Sequence, residues 1–154
     1  MEEKPKTYVE LSHAREDEQR TVMDRIVQAG VCPFCPEHLE RYHKEPVLEE
    51  NGSWVLTKNQ WPYQNTDVHL LVILKRHAEH LYEITEEEWH DLWSLLVWTN
   101  VYFAENGGMF SMRFGDPALS GATVRHLHAQ LIVPKVDDAS GRPMQVAMWA
   151  GSRS

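Results

Sequence analysis

The stretch from His126 to Pro134 constrains the fold most, because polar and apolar residues alternate along it as His-Leu-His-Ala-Gln-Leu-Ile-Val-Pro. Alternation with a period of two is typical of a β-strand, whose successive side chains point to opposite faces. His126, His128 and Gln130 therefore share one surface, and the residues between them face a core. The alternative, that these are core residues satisfied by neighbours, requires a partner for each buried polar group. We predict that the polar face is available to a ligand.

The other strands are predicted from short runs rich in β-branched and aromatic residues, bounded by turn signals. Asn51-Gly52 is the strongest of these signals, because this dipeptide suits the tight turn of a hairpin. The predicted strands cover about residues 47–50, 54–57, 68–74, 109–114 and 124–133, with one more short strand near Val146. No apolar run approaches the ~18 residues needed to cross a bilayer, so we expect no membrane association.

The predicted helices have clear start and stop signals. Thr85 and Glu88 form a capping box that opens a long helix reaching about Asn106. The residues expected on its buried face are Trp89, Leu92, Trp93 and Leu96. An earlier helix covers residues 16–29 and ends at Gly30, and a short helix follows at 37–42.

These elements predict one α+β domain with an antiparallel sheet of about five strands, one long helix and a short N-terminal helical segment. The chain has 154 residues, a usual size for one domain. Residues 1–14 have no clear period, so we expect a loose or docked tail there and a single domain at 15–154. The first residues, MEEKPKTYVE, lack the pattern of a secretory signal, and a cytoplasmic location is expected.

The net charge of -8 argues against a broad basic face for long nucleic acids. A small phosphorylated ligand remains compatible with this charge, because backbone N–H groups and one or two cations can hold a phosphate. The loop Ser120-Gly121-Ala122-Thr123 offers small residues and hydroxyls of this kind just before the histidine strand. Alone, such a loop would usually be an ordinary turn.

Cys32-Pro-Phe-Cys35 is a pair of cysteines that suggests either metal ligation or a redox dithiol. A tetrahedral zinc site needs two further ligands, for which histidines are natural candidates. Four histidines lie in polar helical or tail surroundings and are expected at the surface: His13, His38, His43 and His90. The remaining candidates are His69, His77, His80, His126 and His128.

Together these motifs resemble the histidine-triad superfamily, whose signature is His-x-His-x-His preceded by a glycine and a hydroxyl residue. The resemblance extends over about residues 30–134 and includes Asn59-Gln-Trp-Pro-Tyr63 and the strand and turn from His69 to His77. Gln130 replaces the third histidine, as in the branch with galactose-1-phosphate uridylyltransferase and diadenosine tetraphosphate phosphorylases. The resemblance implies a histidine-triad (HIT) fold and a homodimer. Relatives often carry asparagine before the phosphate loop, where this chain has Arg113.

The resemblance also implies roles for individual residues. It implies two catalytic residues, His128 as the nucleophile and Gln130 as a hydrogen-bonding partner of the phosphate. The residues implied to bind substrate are Ser120, Gly121, Thr123, Arg113 and His69. The residues implied to hold a structural zinc ion are Cys32, Cys35, His77 and His126.

The function expected from these residues is attack on the α-phosphate of a small nucleotide or dinucleotide. A neutral imidazole is a good nucleophile near pH 7, and a nucleotidyl-histidine would form. Gln130 cannot titrate, so anhydride and sugar-phosphate leaving groups are favoured. We expect a nucleotidyl transferase, phosphorylase or hydrolase. The alternatives are a non-catalytic nucleotide-binding module and a thiol oxidoreductase that uses Cys32.

Overall fold

The computed structural model describes residues 6–151 and contains a five-stranded antiparallel sheet. The strands are β1 (Val47–Glu50), β2 (Trp54–Lys58), β3 (Thr66–Leu74), β4 (Met109–Arg113) and β5 (His128–Pro134). Their order in the sheet is β1-β2-β3-β5-β4. The helices are α1 (Asp17–Ala29), α2 (Pro36–Tyr42), α3 (Glu86–Phe103) and α4 (Pro117–Ser120). The predicted α+β class is therefore confirmed. Among the described helices, none has the length and apolar character needed to cross a bilayer.

Strand β5 lies between β3 and β4 and is hydrogen-bonded on both sides. In its register His128 is opposite Ile73 and Arg113, and Gln130 is opposite Leu71. Directly opposed residues share a face of the sheet. Arg113, His128 and Gln130 therefore project on the same side.

The chain enters β5 later than the sequence predicts. The predicted strand at 124–133 begins only at His128, whereas Val124 forms an isolated bridge with Val9 of the N-terminal segment. The predicted strand near Val146 is also wrong, because residues 144–149 form no strand. A single bridge between Val136 and Pro143 is the pairing observed in this region.

Helix α3 covers the other face of the sheet. Its Leu92 and Leu95 belong to a core cluster with Leu127, Ala129 and Leu131. The capping box of Thr85 and Glu88 is present, as predicted. The prediction that Trp89 and Trp93 are buried is wrong, since their exposed fractions are 42% and 66%. The helix is apolar on more than one side, and the stripe containing Leu92, Leu95 and Thr99 faces the core instead.

The N-terminal segment is docked along the loop of residues 120–123, which the sequence predicts to bind phosphate and which is called the phosphate loop below. Val9 is buried in a second cluster with Met23 and Ile26 of α1. The N–H of Glu10 donates to the carbonyl of Thr123 over 2.8 Å. Residues 9–13 therefore form part of the wall around the polar face of β5.

Candidate active site and metal centre

His128 lines a pocket on the polar face of β5 and is 8% exposed. Its Nδ1 lies 2.7 Å from the carbonyl oxygen of His126, which can only accept a hydrogen bond. Nδ1 therefore carries the proton. Burial lowers the pKa of His128, so the ring is neutral near pH 7 and Nε2 retains a free electron pair. This is the tautomer that a nucleophilic imidazole needs.

Gln130 is oriented by His69 behind it. The N–H of Tyr63 donates to Nδ1 of His69 over 3.0 Å, which places the proton of the neutral ring on Nε2. That Nε2 donates to Oε1 of Gln130 over 2.7 Å. Burial lowers the pKa of His69 to about 4 and keeps the ring neutral. The NH₂ group of Gln130 has two hydrogens, so beside its contact with the Tyr63 hydroxyl it can still donate into the pocket that Gln130 lines.

The phosphate loop, residues 120–123, is enclosed by Arg113 and by residues 149–151 near the C-terminus. Gly121 has a φ of +73°, and a Cβ there would lie 3.0 Å from the carbonyl oxygens of both Trp149 and Gly151. Arg113 donates through Nη1 to the carbonyls of Ser120 and Trp149. A residue with a side chain is therefore disfavoured at Gly121, and residues 149–151 lie directly against the loop.

The pocket walls favour a negatively charged ligand. Arg15 and Arg113 both line the pocket. No aspartate or glutamate lines it within residues 6–151, although the chain has a net charge of -8. An anionic ligand would therefore meet positive groups without opposing carboxylates.

Beside the pocket, Cys32, Cys35, His77 and His126 form a compact cluster. One ligand atom from each lies within 4.8 Å of all the others. Nδ1 of His126 is 3.2 Å from Sγ of Cys32 and 3.7 Å from Sγ of Cys35. In tetrahedral zinc sites, bond lengths of about 2.0–2.3 Å separate neighbouring ligand atoms by roughly 3.5 Å. The cluster could therefore hold a metal ion, and its donor set suits zinc.

Outer hydrogen bonds aim both histidines of this metal cluster at the thiols. Nε2 of His126 donates to the carbonyl of Leu74 over 2.5 Å, and Nε2 of His77 lies 3.1 Å from Oε1 of Glu79. Each Nδ1 is left to face sulfur, as metal-binding histidines require. His126 also provides the carbonyl that orients His128. The cluster and the pocket are therefore joined through one residue.

The two thiols do not have the properties of a reactive dithiol. Both are buried, and burial raises the pKa of Cys32 and raises that of Cys35 to about 12. Thiols active in disulfide exchange are accessible and have lowered pKa values. A bound cation would deprotonate both sulfurs. This arrangement favours metal ligation over redox chemistry.

The structure brings together most of the residues singled out in the sequence. Arg113, Gly121, Thr123, His128 and Gln130 all line the pocket, whereas Ser120 and His69 lie outside its lining. The four residues implied to bind zinc form the metal cluster.

Sequence reasoning missed part of the pocket wall. His13 was expected at the surface, but it is buried and lines the pocket, as do Arg15 and Tyr63. His43, also expected at the surface, is half-buried and lines the pocket too. The Trp-Pro-Tyr63 motif was a local signal for Tyr63, whereas no periodic pattern marks His13 or Arg15.

The fold is that of histidine-triad proteins, as solved structures show. A HIT family hydrolase from Clostridium thermocellum is 28% identical, with a TM-score of 0.52, over 70% of this chain and 92% of that one. A histidine-triad nucleotide-binding protein from Candida albicans is 24% identical, with a TM-score of 0.56, over 80% and 87%. A zinc-bound histidine-triad family protein from Mycobacterium smegmatis is 19% identical, with a TM-score of 0.52, over 71% and 78%.

A family model described as the N-terminal domain of DUF4931, a domain of unknown function, matches residues 16–136. The chain therefore belongs to the DUF4931 family. No curated protein matches it. The solved structures thus show a histidine-triad fold, while the family description assigns no activity.

Proposed function

We propose that the protein transfers or hydrolyses a nucleotidyl group at an α-phosphate, with His128 as the nucleophile. The observation that carries this proposal is the hydrogen bond from Nδ1 of His128 to the carbonyl of His126, 2.7 Å long. It leaves Nε2 unprotonated on the wall of a pocket that has two arginines and no carboxylate among its described residues. The hydrolase and nucleotide-binding names of the solved histidine-triad structures point to the same class of ligand.

In the first step, the electron pair on Nε2 of His128 attacks the α-phosphorus in line with the leaving group. The bond from phosphorus to the leaving oxygen breaks, and that oxygen departs with the bonding electrons. In the second step, water or an acceptor oxygen attacks the same phosphorus, and the N–P bond returns its electrons to the ring. A proton on the attacking oxygen is released to solvent. The NH₂ group of Gln130 and the hydroxyl of Thr123 would donate to the phosphoryl oxygens during both steps.

Gln130 limits which leaving groups can depart. An amide has no proton to transfer near pH 7, so stable anions such as those from phosphoanhydrides and sugar phosphates are favoured. This preference supports a substrate such as a dinucleoside polyphosphate or a nucleotide sugar. It is also consistent with the resemblance to the His-x-His-x-Gln branch of transferases and phosphorylases.

Zinc bound by Cys32, Cys35, His77 and His126 would have a structural role in this proposal. A zinc ion with four protein ligands has no open position for substrate. It would fix His126, whose carbonyl orients the nucleophile. Phe34, which lies between Cys32 and Cys35 in the chain, also connects the cluster to the nucleophile. Its ring centroid lies 5.1 Å from that of His128.

A covalent adduct is the direct test of the proposal. The protein is mixed with a panel of dinucleoside polyphosphates and nucleotide sugars, quenched, and measured by intact-mass spectrometry. We expect a mass increase of one nucleotidyl group in the wild type and none in His128→Gly. Acceleration of turnover by inorganic phosphate would identify a phosphorylase, and its absence a hydrolase. Turnover that persists in His128→Gly would instead favour the non-catalytic role for this residue.

A homodimer is part of the proposal and rests on an exposed apolar surface. Trp93, Val97 and Val101 of α3 and Met109 and Phe110 of β4 are all exposed. Strand β4 is an edge of the sheet, and unpaired edges are common pairing surfaces. Sedimentation analysis of the wild type and of Trp93→Glu tests this part. The cytoplasmic location stays a prediction.

A further inference from the structure

His13 has an unusual environment for a histidine near the start of a chain. It lies at the end of a short 3₁₀ turn, Leu11–His13, and is only 8% exposed. Its ring lines the same pocket as His128. It also lies outside residues 16–136, which the DUF4931 family model matches. Neither the family description nor the histidine-triad signature therefore gives it a role.

Of the two ring nitrogens of His13, Nδ1 has a hydrogen-bond partner and Nε2 has none in the described residues. Nδ1 lies 2.8 Å from the carbonyl oxygen of Ala122 in the phosphate loop, so Nδ1 is the donor. Nε2 is buried without a hydrogen-bond partner in the described residues. Within the described residues, Ser111 Oγ is the other buried side-chain atom without a hydrogen-bond partner, and Ser111 does not line the pocket. Buried polar atoms are nearly always paired, so an orphan in a pocket wall points to a ligand atom.

The surroundings of His13 select an anion as that ligand. The ring is bonded to the loop that contains Gly121 and shares the pocket with Arg15 and Arg113. The other charged and titratable side chains that line the pocket are Tyr42, His43, Tyr63 and His128. The nearby carboxylate of Glu10 has a pKa lowered by a hydrogen bond from Ser12. No carboxylate lines the pocket within the described residues. Nε2 of the neutral ring carries no proton, so it pairs with a phosphate oxygen through one further proton, which the positive pocket wall does not supply but the anion attracts.

We propose that His13 is a phosphate-binding residue of this pocket, donating from Nδ1 to Ala122 and from Nε2 to a phosphate oxygen of the bound nucleotide. The second ring proton is taken from solvent when the anion binds. The proposal rests on the proposed function only in assuming that the pocket takes a nucleotide. It adds a second imidazole, supplied by the N-terminal segment, to the one on β5.

The test compares nucleotides with the corresponding nucleosides. Binding of the four common ribonucleoside 5′-monophosphates and of their nucleosides is measured by calorimetry for the wild type, His13→Phe and His13→Gln. Phenylalanine keeps a planar ring without a donor, whereas the glutamine amide can donate from about the position of Nε2. His90→Phe is the matched control, because His90 is exposed on α3.

We expect His13→Phe to weaken monophosphate binding by roughly 10–100-fold, the range for a charge-assisted hydrogen bond. Nucleoside binding should change by less than about twofold, and His13→Gln should recover most of the monophosphate affinity. Wild-type binding should also take up protons, seen as a dependence of the heat on the buffer, and His13→Gln should reduce this uptake. Thermal unfolding verifies that each variant is folded, and His13→Leu replaces the phenylalanine variant if it is not.

Equal losses for nucleotides and nucleosides, or no loss with either, would overturn the proposal, as would a failure of all four monophosphates to bind. These outcomes are separable from failure of the proposed function. If no His128 adduct forms but His13→Phe still weakens monophosphate binding, the pocket binds nucleotides without the covalent chemistry. If His13→Phe forms the adduct normally and binds monophosphates as the wild type does, the covalent chemistry stands and the His13 contact does not.

Discussion

The two faces of β5 are almost equally buried, but they differ in what holds them. On one face, Ala129 and Leu131 are 0% and 6% exposed and pack in the core beneath α3. On the other, His128 and Gln130 are 8% and 4% exposed, and hydrogen bonds fix the orientation of each. Burial therefore does not distinguish the core from the site. The assignment of donors and acceptors does, because it leaves specific atoms of the polar face for a ligand.

The polar face depends on the metal cluster at its start, so metal removal should have the largest effect. We expect about one zinc per chain in purified protein. Chelation or Cys32→Ser should lower the free energy of unfolding by several kcal/mol. The loss should not exceed roughly 10 kcal/mol, which is the smallest zinc-binding free energy typical of zinc-finger peptides. Elemental analysis and thermal unfolding with and without chelator measure this, with His90→Ser as control. An unfolding curve indifferent to chelator would contradict the structural role.

Replacing the nucleophile should separate chemistry from stability on the polar face. In His128→Asn the side-chain amide can still donate to the carbonyl of His126, but it provides no nucleophile. We expect turnover to fall on the order of 10⁴-fold, with the unfolding midpoint nearly unchanged. Steady-state kinetics on a substrate identified by adduct formation checks this. Turnover within tenfold of wild type would remove His128 from the mechanism.

The apolar face should show the opposite behaviour. Leu131→Ala removes buried methyl groups from the core cluster, which costs roughly 2–5 kcal/mol in comparable sites. Turnover per folded molecule should stay within about twofold. Urea unfolding followed by kinetics under strongly native conditions measures both quantities. If activity fell as steeply as stability, the two faces would not be independent.

Acidification should weaken the polar face through His69, with the smallest effect. Burial lowers the folded-state pKa of His69 to about 4, below the ordinary histidine value of about 6.5. Between these values the unfolded chain binds more protons, so stability is lost as pH falls from about 6.5 toward 4. From pH 7 to pH 5, the wild type should lose roughly 1–2 kcal/mol more than His69→Gln. Urea titrations at both pH values measure the difference, and equal losses would contradict the neutral, buried state.

Local patterns predicted the elements that position the site. The alternation around His128 identified the strand and its polar face, and the capping box at Thr85 located the start of α3. Both signals are short in range, because strand faces and helix caps are set by residues within a few positions. The Cys32-x-x-Cys35 spacing likewise indicated half of the metal cluster.

Contacts between residues far apart in the sequence could not be predicted from the same patterns. Helix α3 has apolar residues on several sides, so periodicity could not decide whether Trp93 or Leu95 faces the sheet. His13 reaches the pocket because Val9 pairs with Val124, more than a hundred positions away. The start of β5 was misplaced for a related reason, since Val124 pairs with the N-terminal segment and not with the sheet. Such contacts depend on chain topology, which no local sequence signal records.

Residues 9–13 and residues 149–151 both pack against the phosphate loop, which affects the design of truncated variants. A recombinant chain cut to residues 16–136 would keep His128, Gln130 and all four residues of the metal cluster. It would lack His13, which is bonded to Ala122, and the C-terminal residues whose carbonyls lie against Gly121. Such a truncated chain would present a wider and less selective cavity. Binding and activity screens on it would describe the shared scaffold and not the specificity of this particular protein.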